Sequence, residues 1–231
     1  MNRGSLSFSS LSTLNDDNAK NAHDHFTVRV KELSERNRRH LLTHFLGLND
    51  DDRLLRFGAA LSDQLIVSYV QSLNFSRDKV FGVYDDRFAL VGAGHLAFAP
   101  RDAMPALSEV TEKERIAELG VSVSASARGH GIGTRLFARA AIHCRNADVD
   151  TLTMHCLASN QKMIHIAKKA GMDIRRTYGD ADAYLTLRPA DPASMMQEAM
   201  QEQAAVLDYT FKAHVRAVSK LLSGFSIGRK K

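Results

Sequence analysis

The sequence predicts an α/β (α+β) protein built on a mixed central sheet flanked by helices, with one more helix at the C-terminus. Three observations predict this. Short runs that alternate at period two and carry β-branched residues recur through the middle of the chain. Amphipathic stretches with a three-to-four-residue apolar period lie among them, without the strict strand–helix alternation of a purely parallel sheet. The composition suits one full globular core: 231 residues, 44% hydrophobic and 25% charged, with only four prolines and fourteen glycines to interrupt it.

Residues 1–25 are rich in Ser, Asn and Asp and have no sustained period; they bury too little surface to offset their ordering entropy and read as a polar, mobile tail. Order is expected from Phe26, where FTVRVKEL alternates like a strand. A helix follows in ERNRRHLLTHFLGL, with Leu41, Leu42, Phe45 and Leu46 on one side and Gly47 as its stop. The segment NDDDRLLRFG reads as a polar-to-apolar connection. A second helix is expected over residues 62–73 with Ser62 as N-cap. The runs KVFGVY and FALVGAGHLAF, separated by Asp85, Asp86 and Arg87, give a β-hairpin signal, and residues 115–123 form another strand candidate.

Beyond a glycine-rich loop, GTRLFARAAIHCRNAD is helical, with Leu136, Phe137, Ala140, Ala141 and Cys144 on its apolar face. The strand TLTMHCLA leads through Ser159 and Asn160 into the helix QKMIHIAKKAG. Lys168 and Lys169 suit the negative end of that helix's dipole and Gly171 its left-handed cap. DIRRTYG and AYLTL make a last strand pair. Asp191-Pro192 then opens a helix, with apolar residues at Ala204, Leu207, Phe211, Val215, Val218, Leu222 and Phe225, and Lys212, Arg216 and Lys220 on another face. Two readings stand: an oligomerisation or docking helix, and a helix packed back on its own domain, which the short repeat favours. The domains expected are therefore a tail over 1–25, one α/β domain over 26–189, and a C-terminal helix with a basic end over 190–231.

Several functions are disfavoured by composition. No apolar run approaches the roughly 18 residues a membrane span needs, and residues 1–25 lack the apolar stretch of a secretory signal. Two cysteines, Cys144 and Cys156, make no disulfide framework and suit a reducing, cytoplasmic setting. The formal charge of +5 admits nucleic acid, a membrane surface or an acidic cofactor as partner, or no specific partner at all. No Cys/His spacing resembles a zinc site, so no metal is expected.

The stretch with most chemical content is LGVSVSASARGHGIGTRLFARA. Gly129, Gly131 and Gly133 alternate between a strand and a helix, where a backbone without Cβ atoms turns tightly and approaches a ligand. The N–H groups of the loop and of the first helical turn converge there, a site for phosphate or pyrophosphate. The spacing Gly-x-Gly-x-Gly is neither the dinucleotide fingerprint nor a Walker loop.

Arg128-Gly-His-Gly-Ile-Gly resembles the Arg/Gln-x-x-Gly-x-Gly/Ala loop of the GNAT superfamily of acyl-CoA-dependent N-acetyltransferases. The order around it is similar too: a strand with Glu118, the loop, a helix, a strand ending at Asn160, and a helix ending at Gly171-Met172. That second block resembles the family's Asn-x-x-Ala…Gly-Phe segment, with Met163 at the alanine position and Met172 at the phenylalanine position. The likeness spans residues 26–189 and is strongest over 115–172. It implies a mostly antiparallel sheet of about six to seven strands and acetyl-CoA as cosubstrate. It also implies that Arg128, Gly129, His130, Gly131, Ile132, Gly133 and Thr134 hold the pyrophosphate through backbone N–H groups. The backbone of Val121 to Val123 would pair with the pantetheine arm, Asn160 would bond that arm, and an N–H near Val121 would stabilise the oxyanion.

The family's chemistry is attack of a neutral amine on a thioester, which requires a base to deprotonate the ammonium. Glu118 stands where many relatives carry a catalytic glutamate, with Glu114 upstream as an alternative. The sequence departs from the pattern at the general acid: Ala167 stands where relatives carry a tyrosine that protonates the thiolate. His155, Cys156 and Ser159 are the candidate replacements, with His165 behind them and water as the remaining source. Arg53, Arg56 and Phe57 fall where the family builds its acceptor pocket, and His95 reads as a satisfied sheet histidine. The leading expectation is an N-acyltransferase acting on a primary amine. The alternative is a non-catalytic acyl-CoA sensor, consistent with Ala167. A nucleic-acid role for the basic C-terminal helix lacks interleaved aromatics and is not expected.

Overall fold

In the computed structural model, which describes residues 28–99 and 115–227 and side chains as far as Lys220, the strand-forming runs become seven strands. They are β1 (Lys31–Leu33), β2 (Lys79–Tyr84), β3 (Leu90–Phe98), β4 (Ile116–Val123), β5 (Thr151–Leu157), β6 (Asp173–Thr177) and β7 (Asp180–Thr186). They form one sheet in the order β1-β2-β3-β4-β5-β7-β6, antiparallel throughout except for the central parallel pair β4–β5. The mixed, mostly antiparallel sheet is the one expected. The helices are α1 (Arg38–Leu46), α2 (Asp50–Phe57), α3 (Asp63–Ser72), α4 (Ile132–Asn146), α5 (Gln161–Lys169) and α6 (Pro192–Ile227).

Alternating side chains give the sheet two apolar faces, each sealed by helices. On one face Leu119, Leu152 and Met154 pack with Ile132 and Leu136 of α4 and Ala167 of α5. On the other, Val80, Leu90 and Ala93 pack with Leu41 and Phe45 of α1 and Ile66 and Val70 of α3. The second cover ends near β4, so the same face of β5, β7 and β6 stays open: His155, Tyr184 and Arg175 are all exposed there.

Three expectations change. Among the described residues the first strand begins later than the alternating run, because regular pairing with β2 runs only from Lys31 to Leu33. The expected tail, 1–25, lies outside the described residues, as does Glu114. The connection NDDDRLLRFG is a helix, α2. Asn49 caps it by accepting a bond from the Asp52 N–H at 2.8 Å, three aspartates occupy its positive end, and Gly58 closes it in the left-handed region at φ 74°. Its buried side chain is polar: Arg53 donates to the carbonyls of Leu46, Leu48 and Leu61 at 2.9–3.0 Å and pairs with Asp63.

The third change concerns the C-terminal helix. α6 does pack on its own domain, but through its polar face. Arg139 of α4, 3% exposed, donates to Glu198 (2.7 Å) and Glu202 (3.3 Å), and His143 and Asn146 also bond Glu198. Burial works against the charge on Glu198, yet the bonds from His143, Asn146 and Arg139 prevail and draw its pKa down to about 2. Farther along, Lys212 donates to the Tyr84 carbonyl and pairs with Asp208, while Tyr209 bonds Asn37. The apolar residues Leu207, Phe211, Val215 and Val218, expected on the packed side, face outward instead.

Candidate active site

The parallel ladder between β4 and β5 is short, ending at Glu118 opposite Thr153. Beyond it β4 continues to Val123 while pairing only with β3. The direction of its backbone groups follows from the bonds they make. The Ile116 carbonyl and the Ser124 N–H bond residues flanking or within β3, whereas the Ala117 carbonyl accepts from Thr153 Oγ1 and the Val123 carbonyl from Arg128 Nε. Backbone groups alternate along a strand, so those of Leu119, Val121 and Val123 point into the gap between β4 and β5. This splayed edge offers N–H and C=O groups to an extended ligand, as an unpaired sheet edge does.

At the end of that edge lies the glycine loop. Gly129 and Gly131 hold φ of 87° and 74°, and a Cβ built on either would touch nothing within 4 Å. Glycine serves there the backbone conformation and the open space outside, not internal packing. Gly131 is the N-cap of α4 and supplies no side-chain cap; the first internal bond runs from Arg135 N–H to the Gly131 carbonyl. The N–H groups of Ile132, Gly133 and Thr134 precede that bond and aim out of the helix end. The N-terminus of α5 opens on the same space. Together these elements and α2 enclose a cleft of about 650 Å³.

Of the residues singled out in the sequence, Val121, Val123, Arg128, Gly129, Gly131, Ile132, Gly133, Thr134, Ser159 and Asn160 line this cleft. Two of them have internal roles that sequence reasoning missed. Arg128 turns its guanidinium to Asp52 and its N–H to the Ala125 carbonyl, so it braces the loop against α2. Asn160, 7% exposed, caps α5 by accepting from the Met163 N–H at 3.2 Å and donates to the Leu55 carbonyl at 3.4 Å. His130 is exposed, with its ring against the Ala127 carbonyl.

Glu118, His155 and Cys156 stand outside the cleft lining. Glu118 pairs with Thr153, and His155, two residues on, shares its face of the sheet. His155 Nδ1 is 2.7 Å from Asp182 Oδ1 across the β5–β7 pair. The bond to Asp182 raises the His155 pKa, with a smaller contribution from the charge of Glu118. Cys156 points to the opposite face, where burial first, then Asp182, pushes its thiol up. Ala167 is 2% exposed in the core, and His165, two residues nearer the helix start and so on another side, lines the cleft.

The cleft also includes residues that carried no sequence signal of their own: Leu48, Asp52, Leu55, Gln161 and Lys162. Arg56, placed in the acceptor pocket by family likeness alone, lines it as well. Its guanidinium bonds the Tyr69 hydroxyl at 3.1 Å and lies over the Phe57 ring at 4.9 Å. It rests against Gly120, where an added Cβ would come within 2.5 Å of Arg56 Cζ. Tyr69 continues to His95 at 3.0 Å and His95 to Asp78 at 3.4 Å, so His95 is the satisfied histidine expected. Among the described residues no group of three or more His, Cys, Asp or Glu is placed to hold a metal ion, and no helix is long and apolar enough to cross a membrane.

Comparison with known proteins agrees with this geometry. A family model described as the acetyltransferase (GNAT) family matches residues 14–172. No curated protein matches the chain significantly in sequence. Among solved structures, the GNAT domain of Streptomyces lividans PAT superposes with TM-score 0.56 at 18% identity, covering 69% of this chain and 90% of its own. A phosphinothricin acetyltransferase from Sinorhizobium meliloti, in complex with acetyl-CoA, gives 0.53 at 13% identity, covering 72% and 95%. The spermidine N-acetyltransferase of Vibrio cholerae, in complex with CoA and spermine, gives 0.51 at 18%, covering 69% and 95%. At these identities the structures establish the shared fold.

Proposed function

We propose, from the premise that the chain belongs to the acetyltransferase (GNAT) family and is an acyltransferase, that it moves an acetyl group from acetyl-CoA to a primary amine by direct attack on the thioester. One observation carries this reading. The unpaired edge of β4 and the glycine-capped start of α4 open on one cleft, an extended hydrogen-bonding track that leads to an anion site.

The pantetheine arm would run along Val121 to Val123 and the pyrophosphate would sit on the N–H groups of Gly129 to Thr134. The amine would approach from the open face that carries Glu118. Glu118 takes the ammonium proton, through water, and frees the nitrogen lone pair. The nitrogen attacks the carbonyl carbon, and the N–H near Val121 holds the oxyanion. The C–S bond then breaks, the nitrogen gives up its second proton to water, and the thiolate takes one from water or from Ser159 or His165 in the cleft wall, leaving an amide and free CoA thiol. The His155–Asp182 pair stands beside Glu118 on the amine side.

Titration calorimetry with acetyl-CoA and a panel of amines assayed by thiol release test this reading. Glu118→Gln is expected to lower kcat by about 100-fold or more, the usual worth of a general base, with acetyl-CoA affinity unchanged. Unaltered turnover would remove Glu118 from the base role. Binding without thiol release to any amine would leave the sensor reading in its place.

A further inference from the structure

α6 docks through one face and presents an apolar stripe on the other. At 100° per residue, Glu198, Glu202, Tyr209 and Lys212 lie on the side that meets α4 and the β2 end. Met196, Met200, Leu207, Phe211, Val215 and Val218 lie roughly 150° away around the same helix. All six are exposed, Leu207 at 72% and Phe211 at 69%. A helix serving only its own domain would bury this stripe, because removing large apolar side chains from water is a leading favourable contribution to folding. Instead, the polar face is held inward by Arg139, His143 and Lys212, and the stripe is left for something else.

We propose that the stripe is a self-association surface on which α6 of a second copy of the chain packs antiparallel, with Phe211 close to the two-fold axis. Spacing is the first argument. Met200, Ala204, Leu207, Phe211, His214, Val218, Leu221 and Phe225 recur at alternate intervals of four and three, a heptad seam along one uninterrupted helix. Only His214 departs from apolar character.

Size and exposure agree with a helix partner. Six half-to-mostly exposed side chains, at roughly 60–120 Å² each, offer roughly 400–700 Å² per copy. Two copies together would bury roughly 800–1,400 Å², which reaches the lower part of the range for specific interfaces. In the turns from His214 to Lys220, Arg216 donates to the Arg87 and Phe88 carbonyls, while Val215 and Val218 stay uncovered. That contact is polar, so the apolar side of these turns is left for outside cover.

The helix dipoles set the direction. Glu198, Glu202, Lys212 and Arg216 are engaged on the docked face, so the six stripe residues bring no like charges together. An antiparallel pair opposes the two helix dipoles where a parallel pair aligns them, and a second copy supplies the matching seam without any other chain.

The test uses the full chain. Sedimentation velocity is expected to show a dimer at micromolar concentration, and Phe211→Glu a monomer, with the dimer dissociation constant raised by roughly 100-fold, the loss of a central contact. That side chain is exposed, so far-UV circular dichroism and acetyl-CoA affinity should be unchanged. Under mild oxidation Phe211→Cys should link to itself, while Ala204→Cys should link only to a Val218→Cys copy. A chain that stays monomeric to about 100 μM, a dimer that survives Phe211→Glu, or an Ala204→Cys chain linked to itself would overturn the proposal. So would a monomer that dimerises only when residues 1–27 are removed, since the chain's own N-terminal segment would then cover the stripe.

Discussion

His44 shows how one side chain couples the helical layer to β4. It lies in α1, 4% exposed, with Nδ1 3.1 Å from the Leu90 carbonyl and Nε2 2.8 Å from Ser122 Oγ on β4. A carbonyl only accepts, so Nδ1 carries the proton, and Nε2 accepts from the Ser122 hydroxyl. Burial pushes the His44 pKa from the ordinary 6.5 down to about 4, so the ring is neutral in the folded protein at pH 7. Between those values the unfolded chain binds a proton that the folded one does not, and stability falls as pH falls. From pH 7 to pH 5 the loss from this group is expected to be about 2 kcal/mol. His40 and His95 are also lowered by burial and add in the same direction, whereas the raised pKa of His155 acts oppositely. The measurement is therefore a difference: urea midpoints at pH 7 and pH 5 for the wild type and His44→Gln. A wild-type slope no steeper than the variant's would show that His44 is not the buried neutral group described here.

At the scale of elements, Arg139 is the joint between α4 and α6. Its guanidinium lies over the Phe81 ring at 5.0 Å, bonds Glu198 and Glu202, and comes within 3.9 Å of Glu32. Arg139→Met keeps the apolar contact but leaves three carboxylates without that cation, so a stability loss of about 2–5 kcal/mol is expected. The sign with pH follows from Glu198. Its lowered pKa gives the wild type stability above pH 4.5 that is lost as pH falls toward 2, while protonation relieves repulsion in the variant. The gap between the two chains should narrow below pH 4.5, and thermal melts across that range would show it. A gap that widens with acid would point to lost packing instead. The same joint explains what the sequence concealed. The stripe on α6 was legible as a period, yet which face docks depends on Arg139 and His143 some sixty residues upstream. α2 escaped detection because its buried residue is Arg53 and its apolar residues, Leu54, Leu55 and Phe57, fall within a single turn, too few to show a repeat, although Asn49, the three aspartates and Gly58 marked both its ends. The hairpin, α4 and α5 were legible because their apolar faces and caps are local. The site divided in the same way. The glycine loop could be read from spacing and likeness, whereas the pairing of His155 with Asp182 and the contact of Arg56 with Gly120 depend on register between distant segments.

For the whole molecule, the cleft is where separately packed layers meet. α1 and α3 close one core and α4 and α5 the other, and β4 runs between them with its edge open. Arg128 to Asp52 and Asn160 to the Leu55 carbonyl tie the loop and α5 to α2 across that gap. A ligand bound along β4 would bridge the same parts, and since the cleft forms only in the folded chain, binding adds to global stability. Acetyl-CoA at about 100 times its Kd is expected to add about 2.7 kcal/mol, which for a chain of this size raises Tm by roughly 5–10 °C. Gly131→Leu separates the ligand from the fold. Because the space around Gly131 is open, the substitution meets no atom, and its own cost is the left-handed backbone, about 1–2 kcal/mol. The side chain would nonetheless stand in the phosphate path, so this variant should keep its fold with a slightly lower Tm and lose the shift caused by acetyl-CoA. Differential scanning fluorimetry of both proteins, with and without acetyl-CoA, reads the two effects independently. A full ligand shift in Gly131→Leu would mean that the pyrophosphate does not sit on this loop, and the anion site would have to be sought at the start of α5, where Gln161 and Lys162 face the same cleft.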